Sequence, residues 1–301
     1  MSRLLIFAVV FLFSGCSNTH SPQKNVNLTE ADQKLISIIK NDIHIDPVVK
    51  TYPNTRWIYL PVTFDFFKIQ AAEEPASSSK EAKISTGLRF LEVDFSERKF
   101  NISYDVGDNL TYPRTYGYTN TYSEAFQTAQ RTMMTAIPRA YGDLAKIPDF
   151  FVIIFANVAT GIETRLIVHS KDLLRANSDM SFGEEFVKRL IQKPTTGSKA
   201  IIDDFFGNHL DDHEMKWPEF LAELIKYRIE FKYTHSDFPP SAETVKEMLQ
   251  QAIQALQGYS FDDYDGIKLN DLSSEKQKEF SRPEVWSYVD GASPLSVPAG
   301  P

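Results

Sequence analysis

The run LEVDFSERKFNISYD, residues 91–105, decides the class of this fold. Leu91, Val93 and Phe95 alternate with Glu92 and Asp94. Beyond Ser96-Glu97-Arg98, Phe100, Ile102 and Tyr104 alternate with Asn101, Ser103 and Asp105. Period-two alternation puts one set of side chains on one face of a strand. Two such arms around a short turn predict an antiparallel hairpin with one buried and one wet face. Phe95 and Phe100 are expected on the core side.

Upstream, Thr29 reads as a helix N-cap, with Glu30 and Asp32 in the first turn and Ala31, Leu35, Ile38 and Ile39 on one side. The aromatic and branched stretch Arg56–Ile69 reads as strand, with Pro61 suggesting an edge or bend. Residues 71–83 are polar and of low complexity, and read as a surface loop. Downstream, residues 105–120 read as a long loop. Thr121 and Glu124 have capping-box spacing, and the helix they open is expected to stop at Pro138. The apolar run Phe150–Phe155 reads as a central strand that turns near Thr160-Gly161 and returns along Ile162–Val168. Phe182, Phe186, Leu190 and Ile191 mark a helix before Pro194. Two more follow, one faced by Trp217, Phe220, Leu221, Leu224, Arg228 and Phe231, the other by Val245, Met248, Leu249, Ala252 and Leu256. Gly258 stands where a helix ends. Because hairpins link most strands, the expected class is α+β: an antiparallel sheet with helices on one face, then a helical C-terminal region.

At 42% hydrophobic and 24% charged residues, the chain has enough apolar side chains for a packed core. The formal net charge of -8 argues against nucleic acid as a partner, since phosphate binding needs a basic footprint.

Three places carry candidate chemistry. The densest polar cluster is Asp203-Asp204, then His209, Asp211, Asp212, His213 and Glu214. His209 and His213 are four apart, one helical turn, which with Asp212 suits a divalent metal. The order is not His-Glu-x-x-His, and Gly207-Asn208 argue against a helix there. The competing reading is a solvated acidic turn before the next helix. Asp262, Asp263, Asp265 and Gly266 have the look of a calcium loop, but Phe261 and Leu272 fall where an EF-hand needs oxygen ligands. Tyr112, Tyr116 and Tyr118 give the segment before Tyr122 flat faces with polar tips, suited to a protein or glycan partner. No nucleophile elbow, phosphate loop or dinucleotide fingerprint occurs. His169, ending an apolar strand, reads as structural.

At the N-terminus, Arg3 precedes an apolar run from Leu4 to Phe13, then small residues and Cys16, the single cysteine of the chain. This is the anatomy of a signal peptide, and ten apolar residues are too few to span a bilayer. Leu12-Phe13-Ser14-Gly15-Cys16 resembles the bacterial lipobox, with Phe13 where Leu is usual. The resemblance covers residues 1–16 alone. It implies lipidation of Cys16, cleavage before it and attachment to the bacterial cell envelope. Ser17, where Asp would favour the inner membrane, favours the outer one. The expected organisation is signal peptide 1–15, lipidated tether 16–27, an α+β domain 28–200, a helical region 201–258 and a poorly ordered tail 259–301. The expected role is a lipid-anchored, non-catalytic binding or assembly module with no cofactor. The alternative is a metal-dependent hydrolase using the 203–214 cluster.

Overall fold

A computed structural model describes residues 28–71, 83–111, 116–196, 212–234 and 241–290. The elements run α1 (Glu30–Ile43), β1 (Val48–Thr51), β2 (Thr55–Val62), β3 (Phe67–Ala71), β4 (Lys83–Ser96), β5 (Lys99–Thr111) and β6 (Tyr116–Tyr122). Then come α2 (Glu124–Tyr141), β7 (Phe150–Asn157), β8 (Ile162–His169), α3 (Ser170–Ser178), a 3-10 turn (Met180–Phe182), α4 (Gly183–Arg189) and β9 (Ile191–Thr196). The last are α5 (Trp217–Thr234), α6 (Ser241–Gly258), β10 (Gly266–Asp271), β11 (Lys276–Ser281) and α7 (Arg282–Asp290). The class is α+β.

One sheet has the order β1-β2-β7-β8-β9, a second β11-β10-β5-β4, and β3 pairs with β6 as a ribbon. The hairpin neighbours are antiparallel, while the long-range pairs β2–β7 and β10–β5 are parallel. Strand β7 is buried along its whole length. Its odd residues Phe151, Ile153 and Phe155 join the core under α1 and α2, and Phe150, Val152 and Ile154 join the core that contains α5 and α6. A strand covered on both faces reads as a continuous apolar run, which is why Phe150–Phe155 does not alternate. Helices therefore cover both faces of this sheet. Helix α5 touches both β9 and β4, so it lies between the two sheets. That position explains its wide apolar surface, which adds Ile225, Ile229 and Tyr233 to the face read from sequence and leaves Phe231 exposed.

Local rules account for most element ends. Thr29 caps α1 and Asp32 completes the capping box, its carboxylate accepting from the Thr29 N–H at 2.8 Å. Helix α2 is capped by Ser123 rather than Thr121, and it continues past Pro138 to Tyr141. In β2, the Val62 carbonyl accepts from the Val158 N–H, so even positions face β7 and odd positions face β1. Strand β1 ends opposite Tyr59, so Pro61 lies beyond it, where the missing N–H breaks no ladder bond.

The hairpin has the expected register, with Phe95 opposite Phe100, Val93 opposite Ile102 and Leu91 opposite Tyr104. Glu97 and Arg98 both hold left-handed φ angles, 51° and 59°, as a two-residue type I′ turn requires. Phe100 is fully buried, Phe95 half-buried and Glu92 exposed. Phe100→Ala is expected to cost about 3–5 kcal/mol in urea unfolding. Phe95→Ala should cost less, and Glu92→Ala within about 0.5 kcal/mol. A larger loss at Glu92 than at Phe100 would mean a one-residue slip of register.

Two longer segments also depart from the sequence expectations. The loop at 105–120 is replaced by β5 reaching Thr111 and by β6 from Tyr116. Its Gly, Thr and Asn content masked strands that pair with β4 and β3. The tail at 259–301 is structured as far as Asp290, because β10 adds in parallel to β5 and buries Ile267 and Leu269, with Phe280 and Val285 closing over them. Among the described residues, the C-terminal region is thus two helices, a hairpin and a short helix.

Candidate functional site

Cys16, Tyr112 and His209 lie outside the described residues, as do Asp203 and Asp204. Tyr116 and Tyr118 lie on β6, opposite Ala71 and Ile69 of β3. Asp212 is held away from any shared site with His213. Its carboxylate accepts from Lys50 Nζ at 2.8 Å, and Tyr52 Oη donates to its carbonyl at 2.7 Å. His213 turns its Nε2 to Glu219 Oε1 at 2.6 Å, and its carbonyl accepts from Trp57 Nε1 at 2.7 Å. Glu214 Oε1 accepts from the Asn54 N–H at 3.2 Å. This segment fastens the start of α5 to β1 and β2. Among the described residues, no group of three or more His, Cys, Asp or Glu could hold a metal ion. The calcium-like turn is likewise engaged, since Arg98 Nη1 reaches Asp263 at 2.6 Å and Nε reaches Asp265 at 3.2 Å.

What the fold does bring together is a cleft of about 680 Å³ at one end of the first sheet. Four separate segments line it: the β1–β2 turn at Asn54, the start of β7 at Asp149 and Phe150, the start of α5 at 214–218, and the α6–β10 link at 259–263. Phe150, Trp217, Tyr259 and Phe261 supply aromatic walls, and Asp149, Glu214, Asp262 and Asp263 stand among them with Lys216. The Trp217 ring lies 5.0 Å from that of Phe150 and 5.5 Å from that of Tyr259, within the range of favourable ring contacts.

Each wall is fixed by a local rule. Phe150 opens β7, its N–H bonded to the Asn54 carbonyl at 3.0 Å. Trp217 is the first residue of α5, where Pro218 in the first turn is tolerated. Tyr259 and Phe261 flank Ser260, whose φ of 51° is left-handed. The Ser260 N–H bonds to the Gln257 carbonyl and that of Phe261 to the Leu256 carbonyl, a Schellman cap in which serine occupies the usual glycine position. Such a cap fixes the direction in which the chain leaves the helix, and so the placement of both rings.

A buried polar network backs the Tyr259 wall. The tyrosine Oη donates to Asp172 Oδ2 at 2.5 Å, His169 Nδ1 lies 3.3 Å from the same oxygen, and Arg189 Nη1 lies 3.4 Å from Oδ1. Arg189 Nη1 also donates to the Gly258 carbonyl at 2.9 Å, satisfying an acceptor at the α6 C-terminus. Burial works against the charge on Asp172. The bonds from His169 and Tyr259 and the charge of Arg189 outweigh it and hold the carboxyl below the ordinary Asp value. Burial, and then the Asp172 charge, push the Tyr259 hydroxyl far above its ordinary range, so it remains a donor. His169 is buried and packs on Trp217 at 4.9 Å, consistent with a structural residue. Among the described residues, no hydrogen bond joins it to Ser260, the serine hydroxyl lining the cleft. The arrangement offers surfaces and charges for binding.

The sequence gives no direct sign of this cleft. Its hint is that Phe150, Trp217 and Tyr259 each sit at the end of an element, where a large ring is not needed to fill a helix or strand face. No protein-family model, curated protein or solved structure matches this chain.

Proposed function

We propose that this chain is a lipid-anchored protein of the bacterial cell envelope that binds a partner and catalyses no reaction of its own. The envelope half of the reading rests on the lipobox-like run ending at Cys16. The binding half rests on one observation, the convergence of four segments on a concave cleft lined by aromatic rings and carboxylates. The outer membrane is the favoured location, from Ser17. The β3–β6 ribbon carrying Tyr116 and Tyr118 is a second contact surface in this reading. The hydrolase alternative is disfavoured, because Asp212 and His213 are bonded to Lys50 and Glu219 and face different neighbours.

The anchor is tested in cells. Cys16→Ala is expected to move the protein from the membrane fraction to the soluble fraction, because no described helix is long and apolar enough to span a bilayer. Mass spectrometry of the parent protein should show a diacylglyceryl group on Cys16. A membrane fraction unchanged by the substitution would overturn the anchor.

A further inference from the structure

We infer that the cleft receives a cationic side chain, a lysine or arginine, presented by a protein partner; this deepens the binding reading above and rests on it. Three features of one cavity converge on that chemistry. The first is shape: a cleft of about 680 Å³ open at its rim, where Lys216, Asp262 and Asp263 are exposed, admits an extended side chain from a large partner. The second is its aromatic walls. Trp217 and Phe261, both half-buried, offer ring surface that suits the methylene stem of a long side chain, and a ring face attracts a cation at its tip.

The third is uncompensated charge. Asp263 is neutralised by Arg98 at 2.6 Å. Among the described residues, no Lys or Arg forms an ion pair with Asp149, Glu214 or Asp262, and Lys216 is the cation lining the cleft. An acidic rim alone would be ordinary solvated surface. Set around a concave aromatic wall, it selects against acidic and neutral side chains and for basic ones. Tyr259 contributes packing rather than a polar tip, because its hydroxyl is directed inward to Asp172.

The test uses the full-length lipidated chain in detergent micelles. The probes are the blocked peptide acetyl-Gly-Lys-Gly-amide, its arginine counterpart, and the same peptide with norleucine, which keeps the stem and loses the charge. Calorimetric titration should show saturable one-to-one binding of the lysine and arginine peptides and at least about tenfold weaker binding of the norleucine peptide. The double substitution Asp149→Asn, Asp262→Asn should weaken the cationic peptides about tenfold, each carboxylate contributing a few-fold. Added salt should weaken them further. Asp262 is exposed and Asp149 half-buried, and among the described residues neither forms an ion pair, so the variant is expected to melt with the parent. If it does not, the two single substitutions, at about threefold each, decide the matter. Equal binding of lysine and norleucine peptides would overturn the cation proposal while leaving the cleft a binding site. Absence of any peptide binding would overturn the partner side chain as occupant.

Discussion

Arg56→Met is expected to destabilise the folded chain by about 3–5 kcal/mol, because it strands a fully buried carboxylate. Asp32 has no solvent exposure and Arg56 is 7% exposed. The guanidinium Nε donates to Asp32 Oδ1 at 2.8 Å, and Tyr141 Oη donates to the same carboxylate oxygen. Thr29 closes the group from the helix cap, through its N–H at 2.8 Å and its Oγ1 at 2.7 Å. This one carboxylate thus joins α1, β2 and α2 on the outer side of the first sheet. Methionine keeps most of the stem and removes the charge, so the loss reports the stranded Asp32. Adding Asp32→Asn to the variant should recover part of the loss, since a neutral amide leaves no stranded charge and its one oxygen can still accept from Tyr141 or from Thr29. A double variant less stable than Arg56→Met would contradict this.

The pH dependence has a fixed sign. Burial opposes the charge on Asp32, but hydrogen bonds from Tyr141 and Thr29 and the charge of Arg56 hold its pKa below the ordinary 3.8. A carboxyl lowered in the folded state stabilises fully above its unfolded value and loses that contribution as pH falls through the folded one. Asp172 acts in the same direction. Unfolding free energy attributable to these two groups should therefore be flat near neutrality and fall as the solution is acidified below the ordinary Asp range. In Arg56→Met that acid loss should shrink.

Asp172→Ala is the second large effect expected, about 3–5 kcal/mol. It removes the acceptor shared by Tyr259, His169 and Arg189, with Asp172 and Arg189 side chains 10% and 16% exposed. A buried donor left without a partner costs more than the bond itself contributes. Asp172→Asn should fall between parent and alanine, because an amide oxygen can still accept from Tyr259 while Arg189 loses its counter-charge. The consequence extends to the cleft. With Tyr259 no longer pinned, lysine-peptide affinity should fall in Asp172→Ala although residue 172 does not line the cavity. Unfolding of Asp172→Ala within about 0.5 kcal/mol of the parent would show that the network does not hold the wall.

How much of this was legible in the sequence follows from the range of each interaction. The hairpin at 91–105 and the α1 cap at Thr29 are local patterns, and they hold in the structure. Strand β10 alternates Ile267 and Leu269 with polar residues, but its partner β5 is far away in the chain, so nothing local announces a sheet. Strand β11 buries only Phe280 and otherwise reads as solvated charge. The tyrosines of β6 resemble a contact loop because the strand lacks aliphatic residues. The cleft was the least legible, since its walls come from positions near 54, 150, 217 and 259 that become neighbours only through the β2–β7 pairing and the packing of α5 and α6. The acidic cluster drew attention for its composition. Its described members Asp212, His213 and Glu214 prove to be fasteners for that same corner.

The most direct measurement places a photo-crosslinking residue at the rim of the cleft in living cells. Lys216 is exposed there and is replaced by p-benzoylphenylalanine in the full-length chain, with the same replacement at exposed Glu92 on the hairpin as the control. Illumination is expected to give a discrete envelope-protein adduct from position 216 and none from position 92. The adduct should be lost when Asp149→Asn and Asp262→Asn are added. No adduct from position 216, or the same adducts from both positions, would contradict the cleft as the partner-binding site.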